Sequence, residues 1–95
     1  MLDKLNYEDY ATQTNTKFLL TDFNLELELR DVVRKTGGPN QDMFSLVFRG
    51  PKENYLGQGI FQLRHEKLGD GELFLVPIGV DQEGYQYEAG FNRII

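Results

Sequence analysis

Apolar and polar residues alternate with period two over much of this chain. The clearest run is Leu25-Glu26-Leu27-Glu28-Leu29-Arg30, the pattern of a strand with one face in a core and the other in water. Strict continuation would put Asp31 inside, so a bulge is expected near Asp31-Val32. Phe44, Leu46 and Phe48 share a face within Met43 to Arg49, and Phe61 and Leu63 do so within Ile60 to His65. Tyr85, Tyr87, Ala89 and Phe91 share a face within Tyr85 to Asn92. Lys17 to Phe23 and Leu73 to Ile78 are also rich in strand formers. Turn residues separate these runs near Asp22 to Asn24, at Gly37-Gly38-Pro39-Asn40, at Gly69-Asp70-Gly71 and from Val80 to Gly84. Gly50-Pro51 opens the longest expected loop, 50–59.

The helix signal is confined to residues 1–12. Asn6 suits an N-cap, with Asp9 three residues on, a weak capping-box pattern. Leu5, Tyr10 and Ala11 supply an apolar stripe, and the run Thr12-Gln13-Thr14-Asn15-Thr16 favours leaving the helix. The expected fold is mostly β: a small antiparallel barrel or sandwich of five to seven strands with one short N-terminal helix. Residues 1–95 read as a single domain, with a helical cap over 1–12 and strands over 17–93. The cap is expected to close one end of the barrel.

Charge and composition narrow the function by exclusion. The net charge is −5, and the ten Lys and Arg residues are scattered among acidic neighbours. Phosphate backbones and anionic membrane surfaces call for clustered cations, so neither nucleic acid nor membrane is an expected partner. There is no cysteine, which removes disulfides, thiolate catalysis and cysteine-based metal sites. The N-terminus lacks a signal-peptide core and no run approaches the ~20 apolar residues of a membrane helix. A cytoplasmic location is the expectation.

Several segments also resemble a family of short, uncharacterised bacterial β-domain proteins of about this whole length. They are Leu5-Asn6-Tyr7-Glu8-Asp9-Tyr10, Phe44-Ser45-Leu46-Val47-Phe48-Arg49-Gly50-Pro51, Gln58-Gly59-Ile60-Phe61, Leu73-Phe74-Leu75-Val76-Pro77-Ile78-Gly79 and Tyr87-Glu88-Ala89-Gly90-Phe91-Asn92. Members of that family are similar to small reading frames that accompany phage-tail-collar-like proteins. The resemblance implies one domain and attaches no activity to it. Gly57 stands where relatives tend to carry proline.

No catalytic grouping emerges. Ser45 and His65 are single copies on expected strands, and Ser45, alternating with Phe44 and Leu46, should face outward without the strained elbow of a nucleophile. Asp70 with Glu72, and Asp81 with Glu83, lie in turns and lack the ordered ligand spacing of a calcium loop; acidic residues are ordinary turn formers. Glu26 and Glu28 would stand about 7 Å apart on one strand face, within the range for paired glycosidase carboxylates, but a solvated strand face explains them as well. Gly57-Gln58-Gly59 and Gly69-Asp70-Gly71 lack the rest of a nucleotide fingerprint and its helix. The expectation is no enzyme, no metal and no cofactor.

What remains is surface. Tyr55-Leu56 places two large apolar residues at a polar loop tip, either an exposed anchor or a plug over the barrel mouth. Leu73 to Ile78 is apolar on both faces, whereas an ordinary barrel strand is polar outside. Phe74, Val76 and Ile78 on one face, or Leu73 and Leu75 on the other, therefore need a cover, either the N-terminal helix or another molecule. Pro77 suggests an edge or a bulge. The leading expectation is a non-catalytic protein-binding or assembly module, phage-tail-like in context, acting through Tyr55, Leu56, Phe74, Val76 and Ile78 on a protein partner or a second copy. The alternative is a small-ligand-binding β-barrel lined by Arg49, Tyr85 and Tyr87.

Overall fold

The computed structural model describes residues 2–94. Its strands are β1 (Lys17–Leu20), β2 (Leu25–Lys35), β3 (Gln41–Gly50), β4 (Gly59–His65), β5 (Gly69–Asp81) and β6 (Gly84–Ile94). They form a closed antiparallel barrel in the order β1-β2-β3-β6-β5-β4, with β4 returning to β1. The alternation expected from the sequence is realised. Phe18, Leu20, Leu27, Leu29, Phe48, Leu63, Leu75 and Tyr87 point inward and are buried, filling the interior as small barrels require.

Two irregularities keep that alternation in phase. The β2–β3 register shifts between Leu29 and Asp31. Arg30 is the extra residue, and it lets Asp31 stay outside while Val32 packs on the core. The β5–β6 register shifts between Pro77 and Gly79, where proline has no N–H to give the ladder. One turn lies elsewhere than the sequence implied. Asp70 and Gly71 are strand residues paired with Arg64 and Leu63, and the chain reverses at 66–68. The cause is His65: its Nδ1 accepts the Lys67 and Leu68 N–H groups at 3.0 and 3.1 Å, which bends the chain before Gly69 enters β5 at φ +89°.

The N-terminal segment closes one end of the barrel. It consists of a 3-10 turn, Leu2–Lys4, and helix α1 (Tyr7–Ala11), so the helix is shorter than the expected cap. The capping box is present in both directions. Asp9 N–H donates to Asn6 Oδ1 and Asn6 N–H to Asp9 Oδ2, each at 3.0 Å. The β5–β6 ladder runs from Val76↔Glu88 to Asp81↔Gly84, and the earlier part of β5 pairs with β4 instead. At this end Tyr10 packs against Phe44 and Phe91, with ring centroids 6.1 and 5.7 Å away. Its hydroxyl donates to the Leu2 carbonyl, and Leu2 and Tyr10 are both fully buried. Leu2 lies directly over Gly71, where a Cβ would come within 2.6 Å of the Leu2 nitrogen.

The barrel closes through a short seam. Leu19↔Arg64 and Leu20↔Leu63 join β1 to β4, and Thr21 N–H donates to the Gln62 carbonyl at 3.2 Å. His65 adds a side-chain clasp. Its ring lies 4.4 Å from that of Phe18, and its Nε2 is 2.8 Å from Thr16 Oγ1. Thr16 spends its proton on the Gln13 carbonyl, so Nε2 must carry hydrogen. His65 is therefore the neutral Nε2–H tautomer, with Nδ1 accepting.

Two predictions follow from the lid and the clasp. Gly71→Ala pushes a methyl group into Leu2, and overpacking of this kind costs about 1–3 kcal/mol, read as a lower urea midpoint. Burial of the His65 ring disfavours its imidazolium and lowers its pKa below the usual 6.5. Above pH 6.5 the ring is neutral folded or unfolded, and the clasp contributes in full. Below it the unfolded chain binds a proton that the native ring resists, so stability falls. Wild type should lose more stability between pH 7.5 and 5.5 than a His65→Gln variant does; equal losses would show that the clasp does not resist protonation.

Candidate functional site

With β5 inward at Leu73 and Leu75, Phe74 must face out, and with β4 inward at Leu63, Ile60 must face out. The two are directly opposite each other. Ile60 is 67% exposed and Phe74 50% exposed. Val76, next along the same face, is half-buried and pairs with Glu88. Ile78, released by the Pro77–Gly79 irregularity, is again about half exposed. The result is an apolar stripe on a barrel exterior, where a pleated strand normally presents polar residues. The N-terminal segment does not cover it, because Leu2 sits over the barrel end at Gly71.

In the other direction along these strands the face becomes acidic. Gln62 lies opposite Glu72, and Arg64 opposite Asp70. Gln62 Nε2 donates to Glu72 Oε2 at 2.8 Å, which orients that carboxylate without neutralising it. Arg64 Nε is 3.5 Å from Asp70 Oδ1 in an exposed pair, of the kind that contributes little. Ile60, Gln62, Asp70, Glu72 and Phe74 line a groove of about 490 Å³ on this face. It sets apolar area beside carboxylates.

The chain matches, over residues 5–91, the family described as Domain of unknown function (DUF6916). It belongs to that family. No curated protein and no solved structure matches it.

The DUF6916 domain divides the Tyr55-Leu56 loop tip into two roles. Leu56 is only 7% exposed and plugs the barrel end opposite the N-terminal lid. Its N–H donates to Tyr87 Oη at 2.9 Å, and that hydroxyl reaches the Asn54 carbonyl at 3.5 Å. Burial raises the Tyr87 pKa, against the opposing effect of the Leu56 hydrogen bond. Tyr55 is 60% exposed, its ring 5.1 Å from Tyr85. Leu56 is thus a core residue rather than a surface anchor, because the loop's only large aliphatic side chain is what the open mouth can bury.

The three residues expected to line a ligand cavity do not form one. Tyr87 is wholly buried in the filled core and Tyr85 lies half-buried at the mouth. Arg49 stands on the outer face, since it alternates with inward Phe48 and pairs across the sheet with Glu28 and Gln86. Its Nη2 is 2.8 Å from Asp81 Oδ2, and its Nη1 contacts Glu83 Oε1. Arg30 bridges Glu28 and Glu83 at 3.3 and 3.9 Å. Glu26 and Glu28 border this groove of about 440 Å³, but its carboxylates are matched by Lys17, Arg30 and Arg49. Asp81 serves its own turn as well, accepting the Glu83 and Gly84 N–H groups.

Ser45 and His65 are not brought together. Ser45 faces outward from β3 between Val33 and Gly90, and β3 and β4 are not neighbours in the barrel. Ser45 is nevertheless buried, and its Oγ has no hydrogen-bond partner. Lys35 and Glu88, 3.8 Å apart, join the two strands flanking β3. Among the described residues no group of three or more His, Asp or Glu is placed to hold a metal ion.

Sequence reasoning named Phe74, Val76 and Ile78, and Glu72 only as a turn carboxylate beside Asp70; it did not single out Ile60. Ile60 is out of phase with inward Phe61 and Leu63, and that was the available signal. Its value appears only when the β4–β5 register sets it against Phe74. The loop tip offers a direct check. Tyr55→Ser should change stability by no more than about 0.5 kcal/mol, as at ordinary surface sites, whereas Leu56→Ser should cost about 2–4 kcal/mol, as for loss of a buried leucine. Thermal or urea melts of the two single variants measure the difference.

Proposed function

We propose that this domain is a non-catalytic protein-binding or assembly module that docks through the outer face of β4 and β5. The observation that carries the reading is the exposed Ile60–Phe74 pair continued by Val76 and Ile78. Single exposed apolar residues are normal on any protein, but an apolar stripe with neighbours across two strands marks an interaction surface. Aromatic and aliphatic anchors of this kind carry most of the energy in protein interfaces. Tyr55, leaning on Tyr85 at the barrel mouth, is a separate exposed aromatic.

Two further considerations support a binding role. The interior that a ligand-carrying barrel would need is occupied by Phe18, Phe48, Tyr87 and the leucines around them. The charged groove around Arg49 balances its carboxylates with Lys17, Arg30 and Arg49. The resemblance to small proteins that accompany phage-tail-collar-like proteins favours a phage-tail-like assembly as the setting, with a protein partner or another copy of the chain as the occupant.

The test is a double variant, Ile60→Ser with Phe74→Ser. A cross-strand pair contributes roughly 0.2–1 kcal/mol, so the variant should stay folded. Affinity capture from the native host with wild type and variant, compared by quantitative mass spectrometry, should show proteins retained by the first and lost by the second. Identical capture by both would overturn the reading.

A further inference from the structure

Building on that docking reading, we propose that the groove beside Ile60 and Phe74 receives a basic, apolar peptide segment. One aliphatic or aromatic side chain sits on the Ile60–Phe74 pair, and a Lys or Arg two to four residues away meets Glu72 and Asp70.

The registers set this spacing. Ile60↔Phe74, Gln62↔Glu72 and Arg64↔Asp70 are successive outward rows of the β4–β5 ladder. Rows two residues apart are separated by about 7 Å, the same distance that separates residues i and i+2 of an extended peptide. A cation two positions from the anchor therefore falls at Glu72, and one four positions away falls at Asp70. The long stems of Lys and Arg tolerate small departures from that alignment.

Charge selects the sign of the partner. Besides Asp3, which has an interaction of its own, the described groove lining holds the acidic residues Asp70 and Glu72 and no Lys or Arg. Glu72 is oriented by the neutral Gln62 amide. Among the described residues Asp70 pairs with Arg64 in an exposed contact at 3.5 Å, which an incoming cation can replace at little cost. The whole chain carries −5, so its field draws cationic partners and repels nucleic acid and anionic lipid. A second copy brings the same negative charge and is the poorer occupant.

The experiment selects a displayed random dodecapeptide library on the full-length protein at low salt. The expected peptides share an apolar anchor with Lys or Arg two to four positions away. Their binding should be lost in Phe74→Ser and in Ile60→Ser, weakened about tenfold by Glu72→Gln with Asp70→Asn, and weakened by added salt. Circular dichroism and melting of each variant confirm that the fold is kept. Peptides that need Phe74 but carry no basic residue, and that ignore the carboxylate variants, overturn this inference and leave the docking surface standing. Selection of peptides that bind regardless of Phe74 and Ile60, or of none, overturns both.

Discussion

Everything in this domain depends on the short seam between β1 and β4. Closing a sheet removes its edges, and with them the unpaired N–H and C=O rows that invite aggregation. Here closure rests on Leu19↔Arg64 and Leu20↔Leu63, because β1 is only four residues long. Such a seam needs help from side chains. His65 provides it by a chain of hydrogen bonds through Thr16 to the Gln13 carbonyl, and by packing its ring on Phe18. The same imidazole shapes the β4–β5 turn with its other nitrogen. A lone histidine that sequence reading would test for catalysis clasps the seam, and its burial disfavours the charged ring.

Closure creates a second requirement, that both ends be plugged. Each end uses a local segment latched by a buried tyrosine. Tyr10 in the N-terminal helix bonds the Leu2 carbonyl, and Tyr87 in β6 takes the Leu56 N–H. A tyrosine suits this place because its ring supplies core area while its hydroxyl satisfies a backbone group that would otherwise be buried alone. With both mouths plugged, the described interior is packed with the aromatic and leucine side chains of the core. On the exterior, the Ile60–Phe74 pair remains exposed beside Glu72 and Asp70.

The alternation in residues 25–30, 43–49 and 85–92 was enough to specify strands and their inward faces, because period two has one physical solution when one face is buried. The same arithmetic located a bulge near Asp31, since that residue could not be left inside. Pro77 marked the second irregularity for want of an N–H. Asn6 and Asp9 announced the helix start, which is decided within four residues. All of these are local: each is settled by a residue's own chemistry or by neighbours close in sequence.

The tertiary structure decided what depends on register and closure. Whether Leu56 or Tyr55 would be buried turned on the Tyr87 hydroxyl, 31 residues from Leu56. Arg49 faced outward, against the expectation of a lined cavity, because its outward neighbours are Glu28 and Gln86 on two other strands. Ile60 became part of a surface only when β4 met β5. Thus the sequence by itself determined the strand pattern, the helix and the single core, through local periodicity and burial. The groove, its acidic end and the histidine clasp exist only in the folded barrel, because each joins residues whose adjacency is created by strand pairing.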